Sequence, residues 1–166
     1  MQIDEWKPED NADVAALEKI CFEYPWSLDM ISETAGLANF CGVVARDDFA
    51  EENADFCKNN ENRAYEKNKI AGYAGAVCAF DSADIALVAV SPEKRRKGIG
   101  FSLLKSLLEK LFSLGVKNVF LEVRVTNDSA KKLYLKAGFS PVGIRKDYYE
   151  NGEDAFVMVR ELPFER

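Results

Sequence analysis

Ile85-Ala86-Leu87-Val88-Ala89-Val90-Ser91-Pro92-Glu93-Lys94-Arg95-Arg96-Lys97-Gly98-Ile99-Gly100-Phe101 is the stretch that decides how this chain is read. Ile85 to Val90 is an uninterrupted apolar run, the pattern of a strand buried on both faces. Ser91-Pro92 ends it, because proline cannot donate to a sheet ladder. A tight basic cluster, Lys94 to Lys97, leads into Gly98 and Gly100. From Gly98 to Leu114 the spacing predicts a helix whose buried stripe is Leu104, Leu107, Leu108 and Leu111, with Gly115 as its C-cap. The order is strand, basic turn, helix. A helix N-terminus presents unpaired N–H groups and a partial positive charge, and glycines there let a ligand's oxygens come close. Such an arrangement cradles phosphate. It is not a P-loop, because the G-x-x-x-x-G-K-[ST] spacing is missing. The same residues also suit a solvated basic turn in front of a core helix.

Downstream, Val119, Leu121, Val123 and Val125 alternate with Phe120, Glu122 and Arg124, which predicts a strand with Glu122 and Arg124 on one face. Asn127-Asp128-Ser129 starts a helix with the stripe Ala130, Leu133, Tyr134 and Ala137, and Gly138 stops it. Phe139–Ile144 and Ala155–Val159 are the last strands, joined through the reverse-turn signal Asn151-Gly152. Upstream, residues 1–6 form a first strand, and Pro8 opens a helix capped near Asp10 or Asn11 with Val14, Leu17, Ile20 and Cys21 at helical spacing. Ser27 N-caps a second helix ending near Gly36. Phe40–Ala45 and Ile70–Phe80 are strands, and Asp81–Asp84 supplies the turn after the latter. Residues 47–68 are polar and rich in Glu and Asn, an insertion between two strands.

With 166 residues, 48% hydrophobic and 30% charged, the chain is expected to be one globular domain, 1–166, without a linker or internal repeat. It has no apolar run long enough for a membrane span and no signal-like N-terminus, so a cytoplasmic protein, monomer or homodimer, is expected. The formal net charge of -6 speaks against a nucleic-acid binder. There is no histidine, which removes the commonest metal ligand and general base. No metal is expected, and acid–base chemistry falls to Glu, Asp, Lys, Tyr, Cys or water. Cys21, Cys41, Cys57 and Cys78 have no C-x-x-C spacing and read as free thiols.

Arg95-Arg96-Lys97-Gly98-Ile99-Gly100 matches the [QR]-x-x-G-x-[GA] signature of the GNAT acetyltransferase superfamily, which binds the pyrophosphate of coenzyme A. Leu121-Glu122-Val123-Arg124, Asn127, Leu133-Tyr134 and Gly138-Phe139 resemble the second half of the GNAT core. Pro25-Trp26-Ser27, Asp147-Tyr148-Tyr149 and Gly152-Glu153-Asp154-Ala155 look most like the RimI-type N-terminal amino-acid acetyltransferases, which modify the alanine at the start of a ribosomal protein. The resemblance covers roughly residues 10–40 and 70–162. It implies an α/β (α+β) GNAT fold: a mixed, mostly antiparallel, twisted sheet of about seven strands with splayed central strands, flanked by about four helices. It implies acetyl-CoA as cosubstrate.

Residue by residue, the resemblance implies that the backbone of Val88, Ala89 and Val90 pairs with the pantetheine arm, and that a backbone N–H there holds the thioester oxygen. Arg95, Arg96, Lys97, Gly98, Ile99, Gly100 and Phe101 would wrap the pyrophosphate, and Asn127 would hydrogen-bond the cofactor. Glu122 matches the general base and Tyr134 the acid that protonates the departing thiolate. Tyr148 and Tyr149 are candidates for gripping the acceptor. Each has a plainer reading: Glu122 paired with Arg124, Tyr134 in the core, Asn127 as a helix cap, the two tyrosines packed at a sheet edge. Two features depart from the RimI-type pattern, namely the longer insertion at 47–68 and Phe101 where a small or basic residue is usual. The acceptors implied are a protein N-terminus or a small-molecule amine. A non-catalytic acyl-CoA-binding module is the third reading.

Overall fold

The computed structural model describes residues 1–46 and 70–162, so the insertion and Cys57 lie outside the described residues. The chain runs β1 (Gln2–Glu5), α1 (Asn11–Cys21), α2 (Leu28–Ala35), β2 (Phe40–Arg46), β3 (Ile70–Ala79), β4 (Ser82–Val90), α3 (Ile99–Ser113), β5 (Asn118–Arg124), α4 (Asp128–Lys136), β6 (Ser140–Arg145) and β7 (Ala155–Glu161). The strands form one seven-stranded sheet in the order β1-β2-β3-β4-β5-β7-β6. Among the described residues only β4 and β5 pair in parallel, and the other neighbouring strands are antiparallel. No helix among the described residues is long and apolar enough to cross a membrane.

Two cores lie on opposite faces. Leu103, Leu104, Leu107 and Leu111 of α3 pack with Val119, Leu121 and Val123 of β5. Val14 and Leu17 of α1 and Ile31 of α2 pack with Trp6, Tyr73, Leu87 and Ala89. Ser27 caps α2 as its position predicts, its Oγ accepting the Met30 N–H at 3.2 Å.

The expected turn at Asp81–Asp84 is corrected: the reversal is the two residues Phe80 and Asp81, with Phe80 at φ 55°, and β4 already begins at Ser82, which pairs with Ala79. Ser82 and Asp84 look like turn residues because they occupy the solvent side of an alternating strand. Nor is β4 buried on both faces, since Asp84 and Ala86 are exposed. A bulge explains the change of pattern along it. Gly75 pairs with Leu87 but Ala76 pairs with Ile85, leaving Ala86 without an opposite residue. The extra residue reverses the alternation. Ala83 and Ile85 therefore join the α3 core, whereas Leu87 and Ala89 join the α1 core.

The stripe of α1 is also corrected. Ile20 is 63% exposed, and the buried position is Glu18, at 2%. Its carboxylate accepts the Tyr73 hydroxyl and, at 3.0 Å, the Trp26 N–H, so it ties α1 to the central sheet and to the turn before α2. Burial lifts the Glu18 pKa above the ordinary value, against the effect of these two donors. A carboxyl with a raised folded pKa gives its full stabilisation below the unfolded value, about 4.3, and loses it as pH rises through the folded value. Glu18→Gln removes this titration. Melting temperatures of the two proteins should therefore converge, or cross in favour of the variant, between pH 4 and pH 8; a gap independent of pH would contradict the assignment.

Candidate active site

β4 and β5 pair only from Ser82–Asn118 to Ile85–Leu121. Beyond Ile85 the strands part, so Leu87 to Val90 have one edge paired with β3 and the other without a β5 partner. This is the splay that the sequence resemblance implies. A backbone edge with free donors and acceptors can take an extended, amide-bearing ligand as an added strand.

The turn at the end of that edge is shaped for an anion. Arg96 and Gly98 both take left-handed backbone conformations, φ 64° and 84°. Left-handed residues in a turn can aim backbone N–H groups into a concavity that suits an anion. Gly98 has no side chain to cap α3, and the first helical bond is Ser102 N–H to Gly98 O at 3.0 Å. The amides of Ile99, Gly100 and Phe101 thus have no carbonyl one turn back, at the positive end of the helix dipole. A Cβ built on Gly98 meets nothing within 4 Å, so the space before these amides is open to a ligand. Arg96 and Lys97 are exposed beside them, while Ile99 is buried and offers only its backbone.

Arg95 has a structural partner: its Nε–H donates to Val90 O at 3.0 Å, fixing the turn to the strand end. Cys21 donates to the same carbonyl at 3.6 Å, joining α1 to this corner. Phe101 packs against the α3 core, with the Lys136 ammonium 4.8 Å from its ring centroid. Together with Lys105 and Arg160 these two side chains line a groove of about 310 Å³ between α3 and the end of α4. Asn127 does cap α4, its Oδ1 accepting the Ala130 N–H at 3.1 Å, and its amide NH₂ remains for a ligand.

Glu122 stands on β5 one residue past the last β4 pairing, on the sheet face opposite α3. It does not pair with Arg124. Its Oε1 lies 3.2 Å from Nη2 of Arg145 on β6, and the Glu122 side chain is 18% exposed. Arg124 instead donates to Glu153 at 2.9 Å and lies 3.9 Å from the centroid of the Tyr149 ring. Glu153 also accepts the Thr126 N–H at 3.1 Å, so it fastens the β6–β7 connection to the end of β5. Tyr148 and Tyr149 meet edge to face at 5.1 Å.

Tyr134 is buried on α4, edge to face with Phe139 at 6.0 Å. Burial, and then the neighbouring Tyr149, push its hydroxyl well above the ordinary phenol range. Burial likewise pushes Tyr149 up to about 12; Arg124 opposes this, and Tyr148, Glu122 and Glu153 add to it. Tyr149 is thus within electrostatic reach of both Glu122 and Tyr134. Tyr148 is raised by burial first and then by Glu122, with Arg145 opposing and Asp84 adding to the rise. Glu122 therefore stands at the parting of the strands with Tyr148 and Tyr149 near it, while Tyr134 is buried in the α3 core within electrostatic reach of Tyr149.

Arg145 and Glu153 escaped the sequence reading as members of this neighbourhood. Only Glu153 had a signal, as part of the Gly152–Ala155 resemblance. Arg145 comes beside Glu122 because β7 inserts between β5 and β6, an order that periodicity does not reveal.

The sequence profile of the Acetyltransferase (GNAT) family matches residues 12–139. The [ribosomal protein bS18]-alanine N-acetyltransferase of Escherichia coli (strain K12) is 36% identical over 96 residues, 56% of this chain. The aligned stretch spans 65% of that relative's length. The crystal structure of the ribosomal-protein-S18-alanine N-acetyltransferase from Escherichia coli superposes with a TM-score of 0.81 at 25% identity, covering 99% of this chain and 96% of that one. An aminoglycoside 6'-N-acetyltransferase complexed with coenzyme A shares the fold, with a TM-score of 0.76 at 16% identity over 100% of both chains.

Proposed function

The chain belongs to the GNAT acetyltransferase family, and from that premise we propose that it transfers acetyl from acetyl-CoA to the N-terminal α-amine of a protein. The relatives' acceptor, ribosomal protein bS18, is the first to try, and such an acceptor places the reaction in the cytoplasm. The observation that carries the reading is the parting of β4 from β5 beyond Ile85 and Leu121, with open α3 amides at one end and Glu122 beside it.

The residues fit the cofactor. The amides of Ile99, Gly100 and Phe101, with Arg96, Lys97 and the open space over Gly98, hold the diphosphate. The free edge of Val88, Ala89 and Val90 holds the pantetheine amides, and a backbone N–H there takes the thioester oxygen. Asn127 offers its NH₂. When bound, acetyl-CoA supplies an acetyl group activated as a thioester. Glu122 takes a proton from the acceptor ammonium, directly or through water, because an amine attacks only once its lone pair is free. An α-amine, with a pKa of about 8 against about 10.4 for lysine, asks less of that carboxylate. The amine nitrogen bonds to the acetyl carbon, the C–S bond breaks and Tyr134 gives its proton to the departing sulfur, while the proton that the new amide nitrogen sheds passes through water to restore the Tyr134 hydroxyl. The raised pKa of Tyr134 keeps it protonated until the sulfur departs. Tyr148 and Tyr149, beside Glu122, form one wall for the acceptor's first residues.

The test is an acceptor panel. The protein is incubated with labelled acetyl-CoA and peptides with free or blocked α-amines, a bS18 N-terminal peptide among them, alongside polyamines and aminoglycosides. Acetylation confined to free peptide α-amines supports the reading. Acetylation of the small amines alone overturns it.

A further inference from the structure

We propose that Arg145 is a positioning residue for Glu122, an inference that rests on the reading of Glu122 as the base. The basic residues around the β6–β7 connection divide the acids among themselves. Lys146 pairs with Asp154 and Arg124 with Glu153, both acids belonging to the connection itself. Arg145 pairs across the sheet with Glu122. Strand register makes this reach possible. Glu122 lies opposite Val157, and Val157 opposite Gly143, whereas Arg124, Ala155 and Arg145 form the next row. Gly143 puts no side chain into the Glu122 row, and a Cβ built on it meets nothing within 4 Å. Arg145 reaches one row over and across β7 to Glu122, its guanidinium carbon 5.6 Å from the centroid of the Tyr148 ring.

The ion pair sets Nη2 3.2 Å from Oε1, and in the proposed arrangement Oε2 is the atom that takes the acceptor's proton. A carboxylate on a two-torsion stem has several rotamers, and a fixed partner on one oxygen selects the one that faces the opening. Stability is not the reason for the pair. The Arg145 side chain is 57% exposed, and pairs this exposed contribute little to folding. Its value lies in geometry, because small misplacement of a reacting group is costly to rate.

The experiment is a double-mutant cycle on the full chain with acetyl-CoA and the best acceptor from the panel. Arg145→Met should lower kcat by about 10- to 100-fold, with unchanged melting temperature and unchanged affinity for coenzyme A. Arg145→Lys, which keeps the cation, should recover most of the loss. Added to Glu122→Gln, Arg145→Met should cost less than about twofold more, since the group it positions is gone. A role in packing alone would give the same loss in both backgrounds, and that result overturns the proposal. So does an Arg145→Met enzyme with parental kcat. If Glu122→Gln alone is fully active, the base assignment itself fails, which the single variant reveals before the cycle is closed.

Discussion

Glu122→Gln should lower kcat/KM by about 10²- to 10⁴-fold, the range for losing a positioned general base. Glutamine keeps the shape of the side chain and can still face Arg145, but it cannot accept a proton from an ammonium. The Glu122 side chain is 18% exposed and packs at the parting of β4 and β5, so the change alters chemistry and not the sheet. Steady-state assays with saturating acetyl-CoA should place the loss in kcat. The affinity for coenzyme A should stay near the parental value, because the phosphate contacts lie at α3. Activity within a fewfold of the parent would remove Glu122 from the mechanism and leave solvent to deprotonate the acceptor.

Gly98→Glu should weaken coenzyme A binding by more than about 100-fold, a loss near 2.7 kcal/mol. Two causes add. Gly98 sits at φ 84°, where a residue with a Cβ is strained by roughly 1–2 kcal/mol. The new carboxylate also stands in front of amides that carry the positive end of the α3 dipole, where it occupies the anion's place and repels it. Among the described residues, Gly98 and its chain neighbours apart, no atom lies within 4 Å of the added Cβ, so the fold has room for it and the damage falls on the ligand. Gly98→Ala separates the two causes, since it carries the strain without the charge and should lose far less. Calorimetry with coenzyme A measures all three proteins. Equal affinity for Gly98→Glu and the parent would contradict the phosphate assignment.

Much of this architecture is legible in the sequence where short-range rules govern. Ser27 caps α2, Gly98 opens α3 and Asn127 caps α4 because capping is decided within one turn of chain. The period-two pattern of β5 gives the face of Glu122 correctly. The family signature adds the coupling of turn to cofactor. What the sequence hides is set by residues distant along the chain. Ala86 reads as one more apolar residue in a run, yet the register with β3 makes it the bulge that redirects Leu87 and Ala89 to the other core. Glu18 reads as a surface charge on a helix, and only Tyr73 on β3 and the returning Trp26 N–H let it be buried. Glu122 and Arg124 look like a pair from their spacing, but the strand order gives each a partner from the β6–β7 region.

Arg95 adds a structural role that the signature does not reveal, since its Nε–H holds the Val90 carbonyl beside the turn that Arg96 and Gly98 line. Phe101, unusual for its position, is accommodated by packing under Lys136.

A crystal structure with coenzyme A bound is the most direct measurement. The account predicts phosphate oxygens against the amides of residues 99–101, the pantetheine chain lying along Val88–Val90, and the sulfur between the Tyr134 hydroxyl and the Glu122 side of the opening. Coenzyme A seated elsewhere, with the β4 edge and the start of α3 still facing solvent, would contradict it.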